Sequence, residues 1–230
     1  MSNFRPTRVD RFPPIVKNLI IINVLVFVAQ LLLQDYELTE KVMMWPLMPE
    51  KLHAFLVEHG GLESSQKFQP YQVATHMFAH SPSIIFHIFF NMFALFMFGR
   101  VLENVWGPKR FLFFYLACGV GAAALHLAIQ YFRCEQLLQL AEANDMIGVQ
   151  AKIGAAAPAL GASGAVMGVM AAFALTFPNT ELYIFVALDL FGGVAQVTGD
   201  NIAHFAHLGG ALTGFIIVMV WNKTNRKTLY

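Results

Sequence analysis

Long apolar runs separated by shorter polar stretches organise this chain of 230 residues. A helical crossing of a ~30 Å hydrocarbon core takes roughly 20 residues, and six runs are candidates. They are about Ile15–Leu33, Ser83–Val101, Arg110–Tyr131, Ala157–Phe177, Glu181–Val197 and Asn201–Trp221. The fifth is the weakest, being short and carrying Asp189 and Gly192-Gly193. Pro82, Pro158 and Pro178 punctuate the ends, where a missing amide proton is tolerated. The expected fold is all-α: a polytopic membrane protein with six transmembrane helices. Residues 34–82 are too apolar for a linker, with Trp45-Pro46-Leu47, Phe55-Leu56-Val57 and the stretch Phe68–Phe78. They predict short amphipathic helices at the membrane surface. Glu135–Ala143, in the loop 132–156, predicts one more. The domain plan is a cytoplasmic segment 1–14, a six-helix domain 15–222 and a cytoplasmic tail 223–230.

Charge adds an orientation. Only 13% of residues are charged and 57% are hydrophobic, the balance of a lipid-facing surface rather than a soluble domain. A formal net charge of +1 gives no reason to expect nucleic acid as a partner. With an even number of spans both termini share one side, together with Arg5, Arg8, Arg11, Lys17, Arg100, Lys109, Arg110, Lys223, Arg226 and Lys227. The positive-inside rule makes that side cytoplasmic, and a bacterial plasma (inner) membrane is the expected setting. Leu32-Leu33-Gln34-Asp35-Tyr36 is too bulky for a signal-peptide cleavage site, so the first run is expected to stay as an anchor. Cys118 falls in the third run and Cys134 just past its end. They form no disulfide framework.

Polar residues inside apolar helices are costly without partners, so an intramembrane cluster is a candidate functional site. The second, fourth and sixth runs all begin on the outer side. With Pro82, Pro158 and Asp200 as helix starts, His87, Ser163 and His207 lie roughly 7–10 Å below the outer entrance at 1.5 Å per residue. His87 and Asn91, four apart, share a helix face, and both can donate hydrogen bonds to an oxyanion. Gly161, Gly164 and Gly168 around Ser163, and Gly210 and Gly214 after His207, are small enough for two helices to pack closely. That contact would bring His207 to Ser163 as the base that activates its hydroxyl. The plainer reading is that Ser and Gly serve packing and the histidines serve interfaces. His126 then reads as a core histidine, His204 and Asp189 as structural, and His76 and His80 as interfacial. Two other functions compete. One is a zinc hydrolase using His87, His204 and His207 with Asp189 or Asp200; it would leave Asn91 and the serine idle. The other is a non-enzymatic protein that binds transmembrane helices. The expectation is neither metal nor cofactor.

His87-Ile88-Phe89-Phe90-Asn91, Gly161-Ala162-Ser163-Gly164 and His204-Phe205-Ala206-His207-Leu208-Gly209-Gly210 resemble the HxxxN, GxSG and sixth-helix histidine segments of the rhomboid intramembrane serine proteases. The resemblance spans nearly the whole chain and implies a rhomboid-like bundle. It implies Ser163 as nucleophile and His207 as general base, a dyad without an acid. It also implies an oxyanion hole formed by the Ser163 amide, His87 and Asn91. The implied substrates are single-pass transmembrane proteins, cut near the outer face. Three positions depart from the pattern. Met167 replaces a tyrosine found one turn after the serine in some members. Tyr71-Gln72 replaces a Trp-Arg pair, removing an arginine-based brace of the first loop. The loop 132–156 is longer than in minimal members.

Overall fold

The computed structural model describes residues 10–178 and 201–224. Among them no β-strand occurs; a single antiparallel bridge joins Met44 and Ala159. The helices are α1 (Pro14–Leu32), α2 (Leu38–Val42), α3 (Glu50–Glu58), α4 (Gln72–Thr75), α5 (Ile85–Trp106), α6 (Pro108–Glu142), α7 (Met146–Lys152), α8 (Ser163–Thr176) and α9 (Asn201–Thr224). Within α5 the residues Leu95–Gly99 form a π-helical turn. The architecture is that of a helical polytopic membrane protein. Four helices, α1, α5, α6 and α9, are long and apolar enough to cross a bilayer. They expose Leu25, Phe89, Phe113 and Leu212 outward, as a lipid-facing surface requires. The fifth run, Glu181–Val197, falls outside the described residues.

Each element follows from local sequence. In α1, Val16, Leu19, Asn23, Phe27 and Gln30 are the buried positions, and their three- and four-residue spacing makes one inward stripe. Its first free amides are met from another helix: the Glu103 carboxylate accepts from Ile15 N–H at 2.9 Å and Val16 N–H at 2.8 Å. An acid there also suits the positive end of the helix dipole. Glu103, near the C-terminal end of α5, is therefore structural.

Three boundaries differ from the sequence expectation. The second helix begins at Ile85 rather than Ser83 and runs on to Trp106. The third does not stop near Tyr131. It continues to Glu142, 35 residues in all, and absorbs the separate interfacial helix expected at Glu135–Ala143. No glycine or proline interrupts 122–147, and Cys134, Leu137 and Ala141 bury against Leu52 and Leu56 of α3 and against Val149 and Ala155. At 1.5 Å per residue α6 is about 52 Å long, well beyond the ~30 Å core. Its far end supports the outer loops, and Cys134 lies inside it, buried and unbridged like Cys118. The fourth helix begins at Ser163, not near Ala157, and has 14 residues. Pro158 and the left-handed backbone of Gly161 keep the preceding segment out of the helix. The short helix is enclosed by its neighbours, with Val166, Val169 and Ala172 in the main core. As expected of the first loop, α2, α3 and α4 are short helices.

Candidate active site

Ser163 is the first residue of α8, so it sits where a helix presents unpaired amides and the positive end of its dipole. The first amide of that helix to find a carbonyl behind it is Val166, bonded to Ala162 O at 3.0 Å. The approach to Ser163 passes through Gly161, whose φ of +122° is open to glycine and strained for other residues. A β-carbon there would lie 2.7 Å from His87 Nε2 and 3.8 Å from Ser163 Oγ. His87 Nε2 and the serine hydroxyl therefore flank the same α-carbon. Gly161 N–H donates to His76 O at 2.9 Å. Ala159 pairs with Met44 through two bonds of 2.8 Å, and Gln130 Nε2 donates to Ala157 O at 2.7 Å. The strand-like segment before the serine is tied to the first loop and to α6.

His87 is the third residue of α5. Its Nδ1 lies 3.4 Å from Ser81 N–H, which donates to it. In the neutral ring the proton then resides on Nε2, the nitrogen that faces Gly161. Asn91 is buried one turn deeper, and its Nδ2 donates to His87 O at 2.8 Å. One Nδ2 hydrogen is left for a ligand.

α8 and α9 approach backbone to backbone. A β-carbon on Gly210 would collide with the Gly164 carbonyl, and one on Gly214 would come 2.8 Å from Gly168 O. On Gly168 it would meet Cys118 of α6 and Gly210 O. The expected small-residue face of the sixth helix against the fourth is thus present. It sets His207, one turn before Gly210, on the side of α9 that faces the serine. Ser163, His207, His87, Asn91, Gly161 and Gly164 all line one cavity of about 1000 Å³. Gly168, Gly210 and Gly214 lie beyond it, in the helix contact.

The three residues do not reach their depth as the sequence predicts. His87, Ser163 and His207 are not equally far from their helix starts: they are the third, first and seventh residues of α5, α8 and α9. They converge because the segment after Pro158 enters the bundle as extended chain, and Ser163 reaches its depth before the helix begins. His76 and His80 are also not interfacial; both are buried. Burial lowers the pKa of His76. Burial, then the neighbouring His87, hold His80 down to about 4, against a weaker pull from the Phe78 carbonyl. His126 is a buried histidine on the cavity wall, and the His204 ring stands 6.2 Å from that of His207 at 87°. Among the described residues no three His, Cys, Asp or Glu side chains gather as metal ligands would. Asp189 and Asp200 of the zinc alternative lie outside those residues. The supports Gln30, Ser81 and Gln130 escaped the sequence reading. Gln30 and Gln130 each left a signal, as an amide in an apolar run.

A Rhomboid domain profile matches residues 67–223. The chain belongs to the rhomboid family. It is 28% identical over 155 residues to the Rhomboid protease AarA of Providencia stuartii, covering 59% of this chain and 50% of that protein. It is 30% identical over 166 residues to the human mitochondrial presenilin-associated rhomboid-like protein, covering 63% and 38% respectively. The mitochondrial RHOMBOID-like protein 12 of Arabidopsis thaliana is 28% identical over 167 residues, covering 67% and 47%. The chain thus spans half or less of the length of these relatives.

Two departures of this rhomboid from the family pattern acquire a physical meaning. Gln72 is buried, and its Oε1 accepts from Trp45 N–H at 3.2 Å and Gln69 N–H at 2.9 Å. A neutral amide braces the first loop where an arginine was expected to be missed. Met167 is buried on the cavity wall, offering a polarizable surface without a hydrogen-bond donor.

Proposed function

We propose that this rhomboid is an intramembrane serine endopeptidase that cleaves transmembrane helices of single-pass membrane proteins near their outer ends. The observation that carries the reading is the convergence of Ser163, His207, His87 and Asn91, from three helices, on one cavity. In the reaction Ser163 Oγ attacks the scissile carbonyl carbon while His207 takes the hydroxyl proton. The carbonyl oxygen gains the negative charge and is met by the Ser163 amide, His87 Nε2–H and Asn91 Nδ2–H. Collapse of the tetrahedral intermediate breaks the C–N bond, and His207 returns the proton to the leaving amine. Water, activated by His207, then attacks the acyl ester, and the serine is restored as the acid leaves. No metal or cofactor takes part in these steps.

Cation placement supports cytoplasmic termini and an outward-facing site, with a bacterial plasma membrane as the proposed setting. A helical peptide bond is shielded by its own hydrogen bonds, so the scissile segment must unwind. Gly, Pro or polar residues near the outer end of a substrate helix lower that cost. The test is reconstitution of the full chain in lipid with a panel of single-pass helices, and mapping of the cut by mass spectrometry. Cleavage that vanishes in folded Ser163→Ala and in His207→Ala is expected. The double variant should be little worse than either single, because the pair acts as a unit. Turnover surviving in folded Ser163→Ala overturns the assignment.

A further inference from the structure

Gln30 lies in the membrane-crossing α1 and is fully buried. Its Nε2 donates to His80 O and to Thr39 Oγ1, both at 3.0 Å, and its Oε1 accepts from His80 N–H at 3.0 Å. One amide thus pairs with both backbone groups of one residue. A single bond leaves a swivel, whereas two, one on each peptide unit flanking the His80 α-carbon, fix that residue in rotation as well as in position. Truncating that amide would leave the buried N–H and C=O of His80 unpaired, the expensive outcome for backbone groups.

The next amide along the chain is Ser81 N–H, the donor to His87 Nδ1. The His80 ring packs edge-on to the His87 ring, with centroids 5.1 Å apart at 64°. The His80 ring acts on His87 as a wall. Two constraints on His87 therefore descend from one backbone stretch, 80–81, and Gln30 is the side chain that pins it. This arrangement does not touch the dyad. It controls which nitrogen of His87 carries the proton and where that proton points.

We propose that Gln30 is a positioning residue for the oxyanion site, clamping the His80 peptide so that Ser81 N–H holds His87 with Nε2–H aimed past Gly161 at the serine. The proposal rests on the reading of His87 as an oxyanion donor. A donor 1 Å out of place loses most of its effect on a developing charge, because its advantage is that it needs no reorganisation. The consequence falls on turnover, not on capture of the substrate helix.

The experiment uses the full chain in lipid nanodiscs, with Gln30→Leu, which suits a membrane helix, and Gln30→Met, which keeps the length of the side chain. Cleavage of one single-pass helix is measured in the wild-type and His87→Ala backgrounds, and the His87 tautomer is read from ¹⁵N-histidine spectra. Gln30→Leu is expected to lower kcat by about tenfold to a hundredfold with KM changed less than about twofold. In the His87→Ala background the same change should cost less than about twofold, since its target is gone. The wild-type spectrum should show His87 protonated on Nε2, and the Gln30 variants should mix the tautomers. An equal loss in both backgrounds, or an Nδ1-protonated His87 in the wild type, overturns the proposal. The tautomer reading does not depend on turnover, so it separates failure of the clamp from failure of the protease reading. The latter would appear as cleavage surviving in Ser163→Ala.

Discussion

Ser163 and His207 ride on α8 and α9, whose backbones meet at Gly164 and Gly210 with no side chain between them. His87 and Asn91 ride on α5, and the entry to α5 is held by amides: Gln30 on His80 and Ser81 on His87. The first contact is close-packed backbone, which has one stable spacing and no rotamers to adjust. The second is a chain of directional bonds through loop backbone, each able to weaken without the fold collapsing. The proposed nucleophile and base are thus set by sterics, and the proposed oxyanion donors by hydrogen bonding. Damage to the two halves should differ in kind: loss of the folded protein for one, graded loss of turnover for the other.

The largest effect is expected from Gly210→Leu. Its side chain has no space before the Gly164 carbonyl, and overpacking of this sort costs about 1–3 kcal/mol or more. Both folding yield and cleavage should fall, whereas Gly154→Ala, whose β-carbon would meet open space, should stay within about 0.5 kcal/mol of wild type. Thermal unfolding in detergent checks both, and a Gly210→Leu protein of wild-type stability would break the steric half of the comparison.

Next is Asn91→Ala, which removes one donor and should lower kcat about 10²-fold with the fold retained. Full turnover in this variant would place the second oxyanion donor elsewhere. A smaller effect concerns pH. Because the folded His80 sits down at about 4, below its ordinary 6.5, the unfolded chain binds a proton between those values that the native chain does not. Its contribution is complete above about 6.5 and is lost as pH falls toward 4. Buried His76 adds in the same direction. His80→Phe should flatten this slope by up to about one proton, read from the pH dependence of unfolding. An unchanged slope would mean that His80 takes up its proton in the fold as readily as in the unfolded chain. The smallest effect is expected from Lys51→Ala, which breaks the exposed pair with Glu142, 3.6 Å apart. Such pairs contribute about 0–1 kcal/mol, and a larger loss would show that the far end of α6 stabilises the first loop through charge as well as through Leu52 and Leu56.

Much was legible in the chain because membrane insertion imposes a simple rule. Apolar length marks helices, so α1 and α9 were located within a few residues, and small residues mark the faces where helices meet. Ser163, His207, His87 and Asn91 stood out because they are polar within that apolar background. Helix ends were less legible. The continuation of α6 to Glu142 depends on α3 and Val149 coming to cover Cys134, Leu137 and Ala141, and those partners are distant in sequence.

The pattern of apolar runs by itself determined that this is a helical membrane protein, the HxxxN, GxSG and sixth-helix histidine segments carried its likeness to the rhomboid family, and polar residues within the runs marked which side chains could carry chemistry. Those are properties of single residues and their periodicity. Tertiary structure decided that helix α8 starts at Ser163, that His76 and His80 are buried, and that Gln30 in α1 grips a loop 50 residues away. These depend on backbone groups finding partners across the fold. A backbone N–H or C=O is the same in every residue, so nothing in the local sequence marks which partner it will take.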